Sequence, residues 1–351
     1  VVHYNSCRLC CLKRSPYLFL DTKLRLLEAM TDAARTPDSN FADLEDFAYT
    51  PNYHQWHDLR MHYIDEGPKD GPVMLLLHGM PTWSYLYRHM IPLLVDAGYR
   101  CIAPDHMGFG RSDKPNDVHW FTIARHTEVL TSLIVELDLQ DITLLCQDWG
   151  GPIGLAQAAT MPDRFSRLTI MNTWLHHEEF QYSEAIRNWN QNWKENGLFC
   201  REKPDVGILL VLSAGLIGTD VMVPTLVENK KPDLEGEAAN MYRGFSVPFR
   251  GLDDAAYNGL RCFPLSIPFD NYLGGNGPAQ TVHYETLLKW HKPVHFIWGC
   301  SDDVFTEEWG RKWAGQMNAS FDGIASAGHF LQNSHGPEVV ECLLKRIAAE
   351  C

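Results

Sequence analysis

The sequence lacks any long apolar run and carries little positive charge. No stretch reaches the roughly 18 apolar residues that a membrane-spanning helix needs, so we expect no membrane partner. The 30 Lys and Arg residues are outnumbered by 44 Asp and Glu, which gives a formal net charge of −14. Because no stripe of basic residues offsets this excess, nucleic acid is also excluded as an expected partner.

Cysteine is present, but not at the spacing of a disulfide framework or a metal site. The ten cysteines are scattered along the chain, and several fall in predicted strands or helices, so we expect reduced thiols and a cytoplasmic protein. The cluster "CRLCC" (7–11) has no second cysteine pair to complete a zinc site. "HHEEF" (176–180) lacks the spacing of the helical zinc motif H-E-x-x-H. We therefore expect no metal and no cofactor.

The first 29 residues stand apart from the rest of the sequence. Their apolar stretch "PYLFL" (16–20) is too short for the core of a signal peptide. We interpret residues 1–29 as a peripheral extension of unknown role rather than as a targeting or metal-binding segment.

Short apolar runs predict the fold class. Most of these runs are continuous rather than alternating, as expected for strands that are buried on both faces of a parallel sheet. Helical patterns lie between them, for example at Thr127–Leu137 and Ile153–Met161. We predict an α/β fold with a mostly parallel, doubly wound central sheet. The predicted strands are Val73–Leu77, Tyr99–Ala103, Ile142–Cys146, Leu168–Met171, Val294–Trp298 and Phe321–Ala325.

The alternation of strands and helices stops between Met171 and Val294. This stretch is rich in Trp, Asn and Glu, and its apolar segment 206–218 argues against a disordered loop. We predict a mostly helical cap over the carboxyl ends of the strands, where open α/β sheets bind ligands. The predicted organisation is a core (30–173 and 263–351) interrupted by a helical cap (174–262).

The stretch "LLCQDWGGPIGL" (144–155) has the strand–turn–helix pattern that presents a nucleophilic serine in hydrolases. Gly150 and Gly151 supply the small neighbours that such a turn needs, and the residue presented here is Asp148. A single Asp before a helix is more often an N-cap, so its partners elsewhere in the chain have to decide its role.

Two such partners follow in the expected order. Asp302 in "GCSDD" comes after one predicted strand, and His329 in "SAGHF" comes after the last one. Nucleophile, acid and histidine follow one another in this order in α/β-hydrolases. Asp303 is the alternative acid. The loop "HGMPTWSYLYR" (78–88) follows another strand, so we expect an oxyanion hole from the backbone N–H groups of Met80 and Trp149.

A carboxylate nucleophile indicates displacement at a saturated carbon. It forms an ester that histidine-activated water can cleave, whereas a serine would form a stable ether. Halides and epoxides are the two obvious substrate classes. A departing halide needs neutral donors such as the Trp149 indole. An opened epoxide needs a proton, and the candidate donors are the cap tyrosines Tyr182, Tyr242, Tyr257 and Tyr272.

The motifs "HGMPTWSYLYR", "DHMGFGRSDKP", "QDWGG" and "AGHF" together resemble those of the haloalkane dehalogenases. The resemblance runs from residue 34 to near the C-terminus. It implies an α/β-hydrolase fold in which Asp148 is the nucleophile, His329 the base and Asp302 the triad acid. The implied activity converts a small apolar haloalkane and water into an alcohol, a halide ion and a proton through a covalent alkyl-aspartate ester.

Two details of the resemblance imply the subgroup with an Asp-His-Asp triad and two halide-binding tryptophans. Met80 offers no side-chain N–H, and the loop "NTWLHH" (172–177) contains no carboxylate. Trp149 is then one halide donor. The context "AIRNW" favours Trp189 as the second, with Trp193 next, and Trp174 is interpreted as a packing residue.

Alternative functions on the same scaffold are an epoxide hydrolase, a cofactor-free luciferase-like oxygenase and a non-catalytic, hydrolase-like scaffold. The last usually lacks a triad member, and none is missing here. The physiological substrate and the oligomeric state do not follow from the sequence.

Overall fold

The computed structural model describes residues 30–44, 46–195, 235–268 and 274–350. From Asp32 onward these residues belong to one compact unit. The predicted extension 1–29, the apolar segment 206–218 and Tyr272 lie outside the described residues, as does the side chain of Trp193.

The fold is built on a large sheet. The strands of the described residues are β1 (Ala33–Ala34), β2 (Asn52–Trp56), β3 (Leu59–Glu66), β4 (Val73–Leu77), β5 (Arg100–Pro104), β6 (Lys114–Pro115), β7 (Ile142–Gln147), β8 (Phe165–Met171), β9 (Val294–Gly299) and β10 (Ser320–Ile324). Eight of them are hydrogen-bonded in the order β10-β9-β8-β7-β4-β5-β3-β2. Neighbours from β10 to β5 run parallel, and β3 and β2 continue the sheet antiparallel.

Helices cover the sheet and also occur in the described parts of the segment between β8 and β9. The α-helices of the described residues are α1 (Ile91–Asp96), α2 (Ile123–Glu136), α3 (Gly150–Thr160), α4 (Glu184–Glu195), α5 (Gly236–Ser246), α6 (Asn258–Leu265), α7 (Gly277–Leu287), α8 (Glu307–Gln316), α9 (Leu331–Ser334) and α10 (Gly336–Ala348). Within the core, α2 packs against α3, and α8 and α10 pack against β9. Within the described ranges, no helix has the length and apolar character required to cross a bilayer.

The structure confirms the predicted mostly parallel α/β fold. Every residue of β4 and β7 is buried, which explains their continuous apolar sequences. Cys101, Cys146 and Cys262 are buried free thiols. Several boundaries differ by a few residues from the prediction. For example, β8 begins three residues earlier than predicted, at Phe165.

The sequence did not reveal the antiparallel hairpin of β2 and β3. Its two-residue turn is His57–Asp58, and His57 has a φ of 52°. Asn-Gly or Asp-Gly is the usual signal for such a turn, and neither is present. Burial along β3 does not alternate either, because four consecutive residues from Met61 to Ile64 are buried.

Helix α3 starts at Gly150, three residues before the helical pattern that the sequence shows from Ile153. The end of β4 and the loop after β8 approach this first turn closely. A Cβ at Gly150 would collide with the carbonyl oxygen of Leu77, and a Cβ at Gly151 would collide with Thr173 Oγ1. The two glycines therefore allow the close packing of the first turn of the helix.

The described part of the segment between β8 and β9 is helical. Helix α4 packs against α6, whereas α7 packs against α3 of the core. The predicted end of the cap at Cys262 falls inside α6. The limits of the cap therefore stay a prediction.

The connections of the sheet create a crevice at its centre. Strand β4 has β5 on one side and β7 on the other, so the chain leaves β4 and β7 in opposite directions. Ligands of open α/β sheets bind at such a switch point, outside the carboxyl ends of the strands. Met80 follows β4 and Asp148 follows β7, which places both at this crevice.

Candidate active site

Asp148 lies on a tight turn between β7 and α3. Its φ of 50° is in the left-handed region, which non-glycine residues rarely adopt. The backbone of Asp148 is held on both sides. Its N–H donates to Asn172 O at 3.0 Å, and its carbonyl oxygen accepts from Gly151 N at 2.9 Å and from Thr173 Oγ1 at 2.5 Å. A strained backbone fixed in this way is typical of a functional position.

The loop after β4 contacts the Asp148 carboxylate directly. Met80 N donates to Asp148 Oδ1 at 2.8 Å. A Cβ at Gly79 would collide with the same carboxylate, so only glycine allows this approach. The backbone N–H of Trp149 makes no hydrogen bond to the Asp148 carboxylate among the contacts of the described residues. The oxyanion role predicted for Met80 and Trp149 stays a prediction.

The structure brings His329 and Asp302 to the same place. His329 Nδ1 lies 2.9 Å from Asp302 Oδ2, and His329 Nε2 lies 3.6 Å from Asp148 Oδ2. Asp302 is buried, and its Oδ1 accepts from Val304 N at 2.7 Å. The alternative acid, Asp303, is exposed.

Two amide side chains in this site were missed by the sequence reasoning. Asn172 Nδ2 donates to Asp302 Oδ2 at 2.9 Å and to Gly299 O at 3.0 Å. Gln147 Nε2 lies 3.0 Å from His329 Nε2. Their positions could have indicated a role in the site, because Asn172 and Gln147 lie at the carboxyl ends of β8 and β7, as the other candidate residues lie at strand ends.

The electrostatics of His329 reflect its two carboxylate neighbours. Burial lowers the pKa of His329, but the charges of Asp302 and Asp148 outweigh this effect and raise the pKa to about 10. The free site therefore favours the charged form of the imidazole as long as Asp148 is ionised.

A cavity of about 360 Å³ lies over these residues. Asp148 and His329 contribute to its floor, and apolar and aromatic side chains form much of its wall, including Trp149, Trp174 and Ile186. The indole N–H of Trp149 has no hydrogen-bond partner among the described residues, although the residue is only 3% exposed. The site can therefore offer a neutral donor to an anion inside a mostly apolar space.

Trp189 lines this cavity from helix α4. Two hydrogen bonds, one part-buried and one buried, hold the helix in place. Ser183 Oγ donates to Val304 O at 2.8 Å, which ties the start of α4 to the Asp302 loop. Asn190 Nδ2 donates to Pro264 O at 2.8 Å, which ties the residue after Trp189 to α6. The choice between Trp189 and Trp193 stays a prediction.

The third tryptophan, Trp174, is packed among aromatic rings. It stacks on Phe305 at a centroid distance of 5.0 Å and meets Trp149 edge-on at 4.6 Å. Its Nε1 is buried close to the Tyr182 hydroxyl, but outside the geometry of a regular hydrogen bond.

Among the described tyrosines of the predicted cap, Tyr182 lines the cavity, and Tyr242 and Tyr257 do not. The Tyr182 hydroxyl hydrogen-bonds with His176 Nδ1 at 2.8 Å. Burial raises the pKa of Tyr182 well above its usual range. Of the three candidate tyrosines that the structure describes, Tyr182 alone is therefore placed to donate a proton to an opened epoxide in this cavity.

A model of the alpha/beta hydrolase fold matches residues 72–199. With the sheet order and the carboxylate on the turn after β7, this match defines the protein as an α/β hydrolase with an aspartate in the nucleophile position. Similar proteins and solved structures show which family of α/β hydrolases the chain belongs to.

A haloalkane dehalogenase from Psychrobacter cryohalolentis is 38% identical over 323 residues, which cover 89% of this chain and 97% of the relative. One from Mycolicibacterium paratuberculosis is 38% identical over 322 residues, covering 88% and 96%. The tetrameric haloalkane dehalogenase structure from Paraglaciecola agarilytica has a TM-score of 0.73 and 34% identity, covering 88% and 97% of the two chains. The chain belongs to the haloalkane dehalogenase family.

Proposed function

We propose that this protein hydrolyses haloalkanes to an alcohol, a halide ion and a proton, through a covalent ester on Asp148. The observation that carries the proposal is the arrangement of the Asp148 carboxylate. One of its oxygens is held by Met80 N, and the other faces His329 at the floor of a cavity. The same cavity is lined by the Trp149 indole, whose N–H has no partner among the described residues. The family membership of the chain supports the same reaction.

In the first step Asp148 Oδ2 attacks the carbon that carries the halogen. The carbon–oxygen bond forms as the carbon–halogen bond breaks, and the electron pair of that bond leaves with the halide ion. Asp148 Oδ1 is the better candidate for the ester carbonyl oxygen, because Met80 N already donates to it at 2.8 Å. The same donor then stabilises the negative charge that develops on this oxygen during hydrolysis.

The halide ion leaves between Trp149 and Trp189. A neutral N–H donor stabilises an anion without the strong retention that a lysine or arginine would cause. Each hydrogen bond to a charged group contributes about 1.5–3 kcal/mol. Two such donors therefore accelerate the displacement by about 10²–10⁴-fold.

In the second step His329 Nε2 takes a proton from water, and the resulting hydroxide attacks the ester carbon of Asp148. The tetrahedral intermediate collapses as its bond to the alkoxide oxygen breaks. The alkoxide takes the hydroxyl proton of the intermediate, which leaves the free carboxylate and the alcohol, and His329 releases its proton to solvent. Alkylation itself prepares the base, because the neutral ester no longer contributes to the raised pKa of His329. Asp302 holds Nδ1 of the ring and stabilises the imidazolium that forms.

The direct test is product analysis on a panel of bromoalkanes and chloroalkanes, with an epoxide as the competing substrate. We expect halide, alcohol and protons in a 1:1:1 ratio, with little diol from the epoxide. Diol formation without halide release would instead support an epoxide hydrolase. The apolar walls predict a preference for apolar substrates, and the cytoplasmic location stays a prediction from the cysteine pattern.

A further inference from the structure

Gln147 lies immediately before Asp148, at the end of β7, and it is fully buried. Its amide nitrogen is 3.0 Å from His329 Nε2 and 3.0 Å from the backbone carbonyl oxygen of His329. The distance from His329 Nε2 to Asp148 Oδ2 is longer, at 3.6 Å. Gln147 is therefore the nearer polar partner of the nitrogen that takes a proton from water in the proposed reaction.

The two contacts of Gln147 together define the proton positions in the neutral form of His329. A carboxamide nitrogen can only donate, so its contact with His329 Nε2 is a hydrogen bond only when Nε2 carries no proton, the state that the hydrolytic step needs. The ring proton then sits on Nδ1, where Asp302 Oδ2 accepts it at 2.9 Å. Rotation of the amide by half a turn would place Gln147 Oε1 against the carbonyl oxygen of His329, and two acceptors repel each other. The backbone contact therefore selects the orientation of the amide.

We propose that Gln147 is a positioning residue for the hydrolytic step, and that its carboxamide holds His329 in the neutral tautomer with an unprotonated Nε2 until the attacking water replaces the amide at that nitrogen. This inference rests on the proposed function, because it assigns a role in the hydrolysis of the Asp148 ester. Gln147 touches neither substrate nor leaving group and acts through His329.

Gln147 and the neighbouring carboxylates have opposite effects on the protonation of His329. The charged groups that act on His329 among the described residues are Asp302 and Asp148, and both favour its protonated form. Asp303 lines the same cavity at an exposed position, and the remaining neighbours, Phe305 and Phe330, are uncharged rings. A donor aimed at Nε2 favours the neutral form that the hydrolytic step needs.

A role in packing alone does not explain why a polar glutamine occupies the buried position 147. Its Oε1 is buried and has no hydrogen-bond partner among the described residues. An unsatisfied buried acceptor is costly to folding. An apolar side chain of similar length would avoid this cost, so the benefit of the amide lies in its contact with His329.

The test is the pH dependence of ester hydrolysis in Gln147→Met, measured by rapid quenching and mass spectrometry of the alkyl group on Asp148 after mixing with 1-bromobutane. Hydrolysis rises with pH as His329 becomes neutral. Loss of the Gln147 donor should move the midpoint upward by roughly 0.5–1 pH unit, a 3-fold to 10-fold slowing on the acid limb. Gln147→Glu should move it further, because a carboxylate accepts from protonated Nε2.

Gln157→Met is the matched control. Gln157 is equally buried, and its amide joins α2 and α3 through Thr127 O and Thr131 Oγ1. This variant should lose stability and keep the wild-type midpoint. An unchanged midpoint in Gln147→Met, or an equal shift in the control, would overturn the role of Gln147 alone. If the wild type forms no adduct on Asp148, the proposed function fails and this inference fails with it.

Discussion

Replacement of Trp149 by Phe should remove one of the two proposed halide donors while keeping an aromatic ring. The ring of Trp149 packs edge-on against Trp174 at 4.6 Å and lies 5.0 Å from Phe263. A phenylalanine preserves part of these contacts. The indole N–H, which has no other partner among the described residues, is lost completely. The main expected effect is therefore on the departing halide rather than on the fold.

The size of the effect follows from the chemistry of the contact. A hydrogen bond to a charged group contributes about 1.5–3 kcal/mol, and this contribution is largest when the halide carries its full charge. Its loss should slow the displacement step by about 10-fold to 10²-fold. The hydrolytic step should change little, because Trp149 Nε1 does not contact the ester in the proposed reaction.

The assay is rapid-quench measurement of the halide released in the first turnover, together with quenching of tryptophan fluorescence by bromide. Trp174→Phe is the comparison variant, because Trp174 lines the same cavity but stacks on Phe305, and we interpret it as a packing residue rather than as a halide donor. Trp189→Phe should reproduce the Trp149→Phe defect. A wild-type burst rate in Trp149→Phe would refute the halide role, and equal defects in all three variants would indicate a general packing effect.

Two further predictions concern residues behind the site. Asn172→Ala removes one donor to Asp302 Oδ2, so ester hydrolysis should slow while the first-turnover halide release remains. The free energy of unfolding should fall by about 1–3 kcal/mol, because a hydrogen bond to a buried carboxylate is lost while Val304 N and His329 Nδ1 remain as its partners. Burial raises the pKa of Asp105, but His62 and other donors outweigh burial and lower the pKa from 3.8 to about 2. The stability from this carboxylate is therefore present above pH 3.8 and lost as the pH falls through about 2. Acid titration followed by circular dichroism should show this loss in the wild type and a shallower one in Asp105→Asn.

The sequence predicts those features that depend on the ends of buried strands. Asp148, Asp302 and His329 could be singled out because each follows an apolar run, and parallel strands bring their carboxyl ends together at one edge of the sheet. Their order along the chain then suggested their roles, because α/β-hydrolases carry the nucleophile first, the acid second and the histidine last.

Contacts between separate loops could not be predicted in the same way. Gln147 and Asn172 look like ordinary polar residues in the sequence, and their partners lie 182 and 130 residues away. Which atom of an amide faces which neighbour depends on the final packing of β7, β8 and β9. The hairpin of β2 and β3 was missed for a local reason, because its turn uses His57–Asp58 in place of glycine.

The second tryptophan illustrates an ambiguity of helical spacing. Trp189 and Trp193 are one turn apart and share a face of α4, so periodicity alone cannot separate them. The contacts of Ser183 and Asn190 fix the helix over the cavity, and they depend on residues far along the chain.

The most direct test of the central claim is a covalent adduct in His329→Gln. This variant keeps the proposed nucleophile and halide donors and removes the proposed base, whose Nε2 lies 3.6 Å from Asp148 Oδ2. After mixing with a bromoalkane it should release about one halide per protein molecule and then stop, because only the second step needs the base. Mass spectrometry of the digested protein should then find the alkyl group on Asp148. Sustained turnover, or an alkyl group on any other residue, would contradict the mechanism.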